Sequence, residues 1–174
     1  MKKETTKSLC IKAMLMALTC IATMVIQVPV AATNGYIHLG DSIILLAGIM
    51  FGPTAGLLAG GIGSAMADVL TGYGYWAPFT LIIKGIMGYV AGYIAYDGTD
   101  KAFGIKKFAG AFAAEVVMIV GYLLAGTVLK GSFLVSLTSV PENAVQAVGG
   151  CIIYFVMAYA VKKTGLMKLA GLDR

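Results

Sequence analysis

The sequence predicts an all-α membrane protein: a bundle of about six transmembrane helices, the second helix short, both termini cytoplasmic. Three observations carry this. Hydrophobic residues make up 59% of the 174 and charged residues only 12%, with a mean hydropathy of +0.89. An ordinary soluble domain carries about 25% charged residues. The apolar residues fall in long blocks almost free of charge, and blocks of about 18 or more read as membrane spans. Eleven of the thirteen basic residues then sit in three places: Lys2, Lys3, Lys7 and Lys12 at the start; Lys101, Lys106 and Lys107 in one internal loop; Lys162, Lys163, Lys168 and Arg174 at the end. Placing all three on the cytoplasmic side requires an even number of crossings. The expectation is a multi-pass protein of the cell membrane, one integral domain over residues 1–174.

The elements follow in order. The first helix is expected over about 8–28. "VAA" at 30–32 resembles a signal-peptide cleavage site, but the apolar run before it is longer than a usual signal core. Removing it would also leave an odd number of crossings. The second helix, about 41–51, reaches only about 16 Å at 1.5 Å per residue, too short for a core of about 30 Å. Pro53 opens the third, about 53–70. Pro78 opens the fourth, about 78–96, at a first helical position where proline is tolerated. The fifth is expected over about 108–129 and the sixth, opened by Pro141, over about 141–161. Residues 29–40, 71–77 and 130–140 then face outside.

Those outer connections are rich in aromatic and hydrogen-bonding groups: Asn34, Tyr36 and His38, then Tyr73, Tyr75 and Trp76. Trp and Tyr favour the membrane interface by themselves, which is the plain alternative to binding. "TNGYIHLGD" (33–41) holds the only histidine and a turn-forming Asn-Gly pair, and reads as a loop or a lid.

Helices in lipid approach closely through small residues. Ala13 and Ala17 are four apart on the first helix. Gly56, Gly60 and Ser64 are four apart on the third, and Asp68 continues that line. Lys84, Gly88 and Gly92 are four apart on the fourth. Charge facing lipid is costly, so Asp68 and Lys84 should point into the bundle. By depth, Lys84 can pair with Asp68 or with Glu115; a structural ion pair and a ligand contact are both open. On the sixth helix Asn143 and Gln146 share a face, and their amides offer donors and acceptors to a neutral or zwitterionic ligand or to neighbouring helices. Glu142, in the first turn, suits the helix dipole. Asp41 reads as the start of the short helix, with capping as its plain role.

Several function classes are disfavoured. There is no GxxxxGK[ST] loop for ATP, no HExxH, and no Cys/His cluster for metal. Cys10, Cys20 and Cys151 give no disulfide framework. A nucleic-acid role would gather the basic residues on one face; here they flank spans, and no nucleic-acid partner is expected. With so few titratable groups, bind-and-release fits better than chemistry, and no enzyme activity, metal or cofactor is expected.

The stretch "HLGDSIILLAGIMFGPTAGLLAGGIGSAMADVLTGYGYWAPFTLIIKGIMGYVAGYI" (38–94), the FGP turn and "PENAVQ" at the last helix resemble the substrate-binding S components of energy-coupling factor (ECF) vitamin transporters, closest to the pyridoxine/hydroxymethylpyrimidine-like branch. The resemblance implies a small vitamin or precursor as ligand. Its partners would be a transmembrane coupling subunit and two ATPase subunits, which use the ATP that this chain does not bind. It implies that Ala13 and Ala17 dock to the coupling subunit. The first outer loop, with Asn34, Tyr36 and His38, would close over a pocket in the outer half. Asp68, Tyr73, Tyr75, Trp76, Lys84, Asn143 and Gln146 fall at that level, and Glu115 lies below it. The alternative is a solitary channel or permease for a small polar solute, which would need a continuous polar path; a membrane enzyme would need clustered acid–base groups.

Overall fold

Inside a bilayer every backbone polar group must find a partner within the protein, and long uncharged apolar runs satisfy this as helices. The computed structural model describes residues 6–30, 35–99 and 101–165 and is helical along most of them. Helix α1 spans Thr6–Val25. A hairpin of β1 (Gln27–Val30) and β2 (Gly35–His38) follows, and then α2 (Gly40–Phe51). The next helical segment has three parts: α3 (Pro53–Leu58), a π-helical turn (Ala59–Gly63) and α4 (Ser64–Leu70). Helix α5 spans Ala77–Ala95 and α6 Ile105–Lys130. A short α7 (Phe133–Leu137) leads into α8 (Val140–Thr164).

Four stretches are long and apolar enough to cross a membrane: Thr6–Val25, Ala77–Ala95, Ile105–Lys130 and Phe133–Thr164, the last joining α7 to α8. The short second helix is present as expected, and its neighbours explain it. Its residues from Gly40 to Met50 are all buried, enclosed by α1, α3, α5 and α8. An all-round apolar helix belongs in such an interior position.

Two local features differ from the expected helix pattern. Helix α1 ends at Val25 rather than near Val28, because Gln27–Val30 pairs antiparallel with Gly35–His38, Gln27 opposite His38. Pro29 is tolerated because a two-stranded hairpin has only edges. The all-α bundle therefore carries a small β-hairpin where a loop was expected. The second addition is α7, whose Ser136 hydroxyl donates to the Leu123 carbonyl of α6 at 2.9 Å.

The small-residue lines on the third and fourth expected helices meet each other. A methyl group added at Gly56 would run into the Gly88 carbonyl, and one at Gly60 into the Lys84 carbonyl. At Gly92 it would lie 2.6 Å from the Pro53 Cα, and at Gly63, on the other side, 2.7 Å from the Met16 carbonyl oxygen of α1. The π turn is thus gripped between α1 and α5 by backbone contact. Below it Ile44, Leu45, Met50, Met87, Met118 and Tyr154 fill the bundle.

At the end remote from the hairpin, the connection between α5 and α6 is clamped. Lys107 Nζ donates to the Ala95 carbonyl at 3.0 Å and to Asp97 Oδ1 at 2.8 Å. Burial pushes the Asp97 carboxyl up, but hydrogen bonds from Lys107 and from the Thr99 side chain and backbone outweigh it and hold it at about 2.

Candidate ligand-binding site

The hairpin lies on the bundle rather than above it. The backbone N–H of His38 donates to Gln146 Oε1 of α8 at 3.0 Å, and His38 is 6% exposed. The Gly40 N–H donates to His38 Nδ1 at 3.0 Å, which fixes the ring against the start of α2. Tyr36, two residues back on the same strand face, packs on Tyr73 with ring centroids 4.7 Å apart, and its hydroxyl donates to Asp68 Oδ1 of α4. The strand period of two sets Tyr36 and His38 side by side, with ring centroids 5.4 Å apart.

Beneath this strand lies a cavity of about 60 Å³, several times the space one water needs. Tyr36 and His38 form its roof. Asp68, Ser64 and Thr23 line one wall, from α4 and α1. Asn143 and Gln146 line the wall contributed by α8, and Trp76, Thr80 and Tyr122 complete it from α5 and α6. The Thr80 and Tyr122 hydroxyls lie 3.1 Å apart and share a hydrogen bond.

A fully buried ion pair sits deeper. Lys84 Nζ of α5 pairs with Asp41 Oδ1 of α2, and both side chains are 0% exposed. Gln146 Nε2 donates to Asp41 Oδ2 at 2.8 Å. The Tyr122 ring lies 5.3 Å from Lys84 Nζ, within cation–π range. Glu115 is also buried, near Asp41 across Gly150, where an added methyl would lie 3.1 Å from Asp41 Cβ and 3.2 Å from Glu115 Oε1. Lys84 is thus taken up by Asp41; Asp68 and Glu115 are buried nearby, and Lys130 and Glu142 add one charge of each sign to the cavity lining.

Of the candidate binding residues read from the sequence, six line the cavity together: Tyr36, His38, Asp68, Trp76, Asn143 and Gln146; Ser64 and Glu142, read there as a packing residue and a helix-dipole residue, line it too. Tyr73 lies behind Tyr36. Tyr75 is 52% exposed, with its ring 6.0 Å from Trp76. Lys84 lies behind the cavity wall, in its ion pair. Asn34 falls outside the described residues. The open choice between Asp68 and Glu115 as the partner of Lys84 resolves to neither: the partner is Asp41. Asp41 makes no capping bond; its carboxylate is spent on Lys84 and Gln146.

Thr23, Thr80, Tyr122, Lys130 and Ser139 also line the cavity and were not singled out. Tyr122 had a signal, since it follows Glu115 by seven residues and so shares its helical face. A threonine or serine inside a span has none. Ala13 and Ala17 are exposed on α1, on a face with Met14, Leu18 and Ile21.

The family model for the ECF-type riboflavin transporter S component matches residues 3–163. An uncharacterized protein of Pyrococcus woesei, from the gap 3′ region, is 38% identical over 143 residues, 82% of this chain and 93% of that protein. The thiamine precursor transporter HmpT of Lactococcus lactis subsp. cremoris is 26% identical over 168 residues, 96% of this chain and 95% of the relative. A UPF0397 protein of Streptococcus pneumoniae is 42% identical over 67 residues, 38% of this chain and 36% of that protein. With the family match spanning nearly the whole chain and the cavity under a hairpin roof, the chain belongs to the ECF-type riboflavin transporter S component family: a multi-pass membrane transport subunit, and not an enzyme.

Proposed function

We propose that this chain captures a small heteroaromatic vitamin precursor at the outer face of the cell membrane and delivers it to an ATP-driven coupling module. The observation that carries this is the cavity itself: a space roofed by Tyr36 and His38, walled by amides, hydroxyls and the charged side chains of Asp68, Lys130 and Glu142, with aromatic rings on two sides. Aromatic faces and a few convergent polar groups are what a flat polar ring requires. A relative that shares 96% of this chain's length is named a thiamine precursor transporter, and a hydroxymethylpyrimidine or pyridoxine-like ring suits the same lining. The family description names riboflavin, whose ring system is likewise flat and heteroaromatic.

In this reading both termini are cytoplasmic, the hairpin faces outside, and ATP is bound by two partner ATPases. The coupling subunit docks on the Ala13–Ala17 face of α1. The clamped Asp97–Lys107 connection lies at the cytoplasmic end with the other basic residues, in keeping with the charge rule. A solitary channel would need a polar route through the bundle, and the plug of Ile44, Leu45, Met87 and Met118 argues against it.

A thermal-shift screen of the purified chain against B vitamins and their precursors tests the ligand. A true ligand at about 100 times its Kd adds roughly 2.7 kcal/mol to the folded state, so one compound should raise the melting temperature in a dose-dependent way. Co-purification from membranes in mild detergent tests the module. A flat screen, together with substrate uptake into liposomes by this chain alone, would overturn the proposal in favour of a permease.

A further inference from the structure

Buried polar atoms in a bilayer protein are costly unless paired, so those without partners that also line a cavity point to where a bound molecule would be received. Among the described residues, seven buried side-chain atoms have no hydrogen-bond partner: Glu115 Oε1 and Oε2 and Tyr154 OH lie away from the cavity, while Thr23 Oγ1, Ser64 Oγ, Asp68 Oδ2 and Trp76 Nε1 belong to residues that line it. The two hydroxyls are unusual for their setting. A helical Ser or Thr ordinarily bonds back to the carbonyl one turn earlier. Thr19 does so to Leu15 at 2.9 Å, and Thr127 to Leu123 at 2.7 Å. Thr23 is one turn beyond Thr19 on the same helix and does not. Ser64 stands directly after the π turn, an irregularity often found at functional sites.

The donor and acceptor inventory then constrains the ligand. Asp68 Oδ1 already accepts from Tyr36, and the Thr80 hydroxyl lies close to the same carboxylate, so Oδ2 has room for one further N–H or O–H donor. The indole Nε1 of Trp76 is a donor only and calls for a lone pair. The two hydroxyls serve either role. An amine attached to a heteroaromatic ring, beside a ring nitrogen, supplies a donor and an acceptor on one edge. An ionised carboxylate brings no donor for Asp68 Oδ2.

Resting on the reading of this chain as a subunit that binds a small heteroaromatic ring, we propose that Thr23, Ser64 and Asp68 form the specificity wall of the cavity, taking the amine-bearing edge of the ring while Trp76 donates to a ring nitrogen. This wall is built from α1 and α4, and the α8 amides belong to another wall. It makes the chain selective for aminated rings over the same rings without the amine. It also joins recognition to α1, the helix whose exposed face carries Ala13 and Ala17.

The test uses the full chain in detergent and calorimetric titration with two probes: 4-amino-5-hydroxymethyl-2-methylpyrimidine, and the same compound with hydrogen in place of the amine. Wild type should bind the amine probe more tightly. Thr23→Val and Ser64→Ala should each weaken the amine probe about three- to tenfold, the size of a lost hydrogen bond, and leave the other probe within about twofold. Their melting temperatures without ligand should stay level or rise, since each removes an unpaired buried hydroxyl. If the variants weaken both probes equally, weaken neither, or melt well below wild type, the wall is a structural feature and the proposal is overturned. Wild type that binds neither probe overturns the ring-binding reading itself, and the wall with it.

Discussion

Lys84→Met gives the sharpest reading of the interior. The substitution keeps the length of the side chain and removes its charge. Asp41 then keeps one hydrogen bond, from Gln146 Nε2 at 2.8 Å, and loses the only cation at its other oxygen. Both members of the pair are 0% exposed, so water cannot take the place of the ammonium. Removing one partner from such a pair costs about 3–5 kcal/mol. For a chain of this length each kcal/mol is about 2–4 °C, so melting should fall by on the order of 6 to 20 °C, read by far-UV circular dichroism in detergent. Asp41→Asn leaves the opposite orphan, an ammonium with the Tyr122 ring 5.3 Å away, and should also melt low. The double variant Asp41→Asn/Lys84→Met leaves no charge behind. It should melt above the value that adding the two single losses gives, by at least about 1 kcal/mol or 2–4 °C. A Lys84→Met protein that melts within about 2 °C of wild type, or two losses that simply add, would refute the buried pair.

Gly88→Ala should cost about 1–3 kcal/mol by driving a methyl into the Gly56 carbonyl, where backbone and not a flexible side chain must move. Gly149→Ala, with nothing within 4 Å of its added methyl, should instead be neutral or stabilising by up to about 1 kcal/mol; chemical denaturation of the two side by side checks this. Ala13→Leu with Ala17→Leu should abolish transport by the assembled system while leaving ligand titration of the isolated chain unchanged; equal loss of binding would break the separation between docking face and cavity. Asp97→Asn should loosen the α5–α6 connection by less than about 1 kcal/mol, since Asp97 is partly exposed. Because the Asp97 carboxyl is held at about 2, below its unfolded value, its contribution is present at neutral pH and fades as pH falls from about 4 toward 2. The gap in thermal stability between Asp97→Asn and wild type should therefore close over that range; a gap unchanged at acid pH counts against the clamp.

The helices were readable because their signals are local. Apolar run length, Pro53, Pro78 and Pro141 at helix starts, and basic flanks each act within a few residues. The glycine lines were readable for the same reason, since spacing of four places residues on one face, and the match between Gly56–Gly60 and Lys84–Gly88–Gly92 needed only that two such faces meet. The partner of Lys84 was not readable. Asp41 opens a helix, and an acidic residue in a first turn reads as dipole compensation; its approach to Lys84 depends on where α2 sits between α5 and α8, which no local pattern states. That Thr23 and Ser64 leave their hydroxyls unbonded was unreadable for a related reason. A hydroxyl in a span nearly always bonds to its own helix, and only the packed structure shows which ones do not. The hairpin was hidden because Gln27–Val30 continues the apolar run of α1, and pairing with Gly35–His38 is a contact between segments.

The short α2 and the hairpin roof are one device. A helix of twelve residues covers about 18 Å, well under the thickness of a hydrocarbon core of about 30 Å. The chain before it must therefore descend into the membrane region, and β2 does so, ending on His38 with its N–H bonded to Gln146. That descent puts the first turn of α2 in the middle of the bundle. An Asp there is favoured by the positive end of the helix dipole and meets Lys84 and Gln146 from two other helices. The roof of the cavity and the charge pair behind its wall are then consecutive on the chain, from Tyr36 to Asp41. A ligand that drew Tyr36 away from Asp68 would reach the Asp41–Lys84 pair through five residues of backbone, so Lys84→Met should change the rate of ligand release as well as stability. Stopped-flow displacement at a temperature where the variant is folded measures it, and an unchanged release rate would separate the roof from the pair.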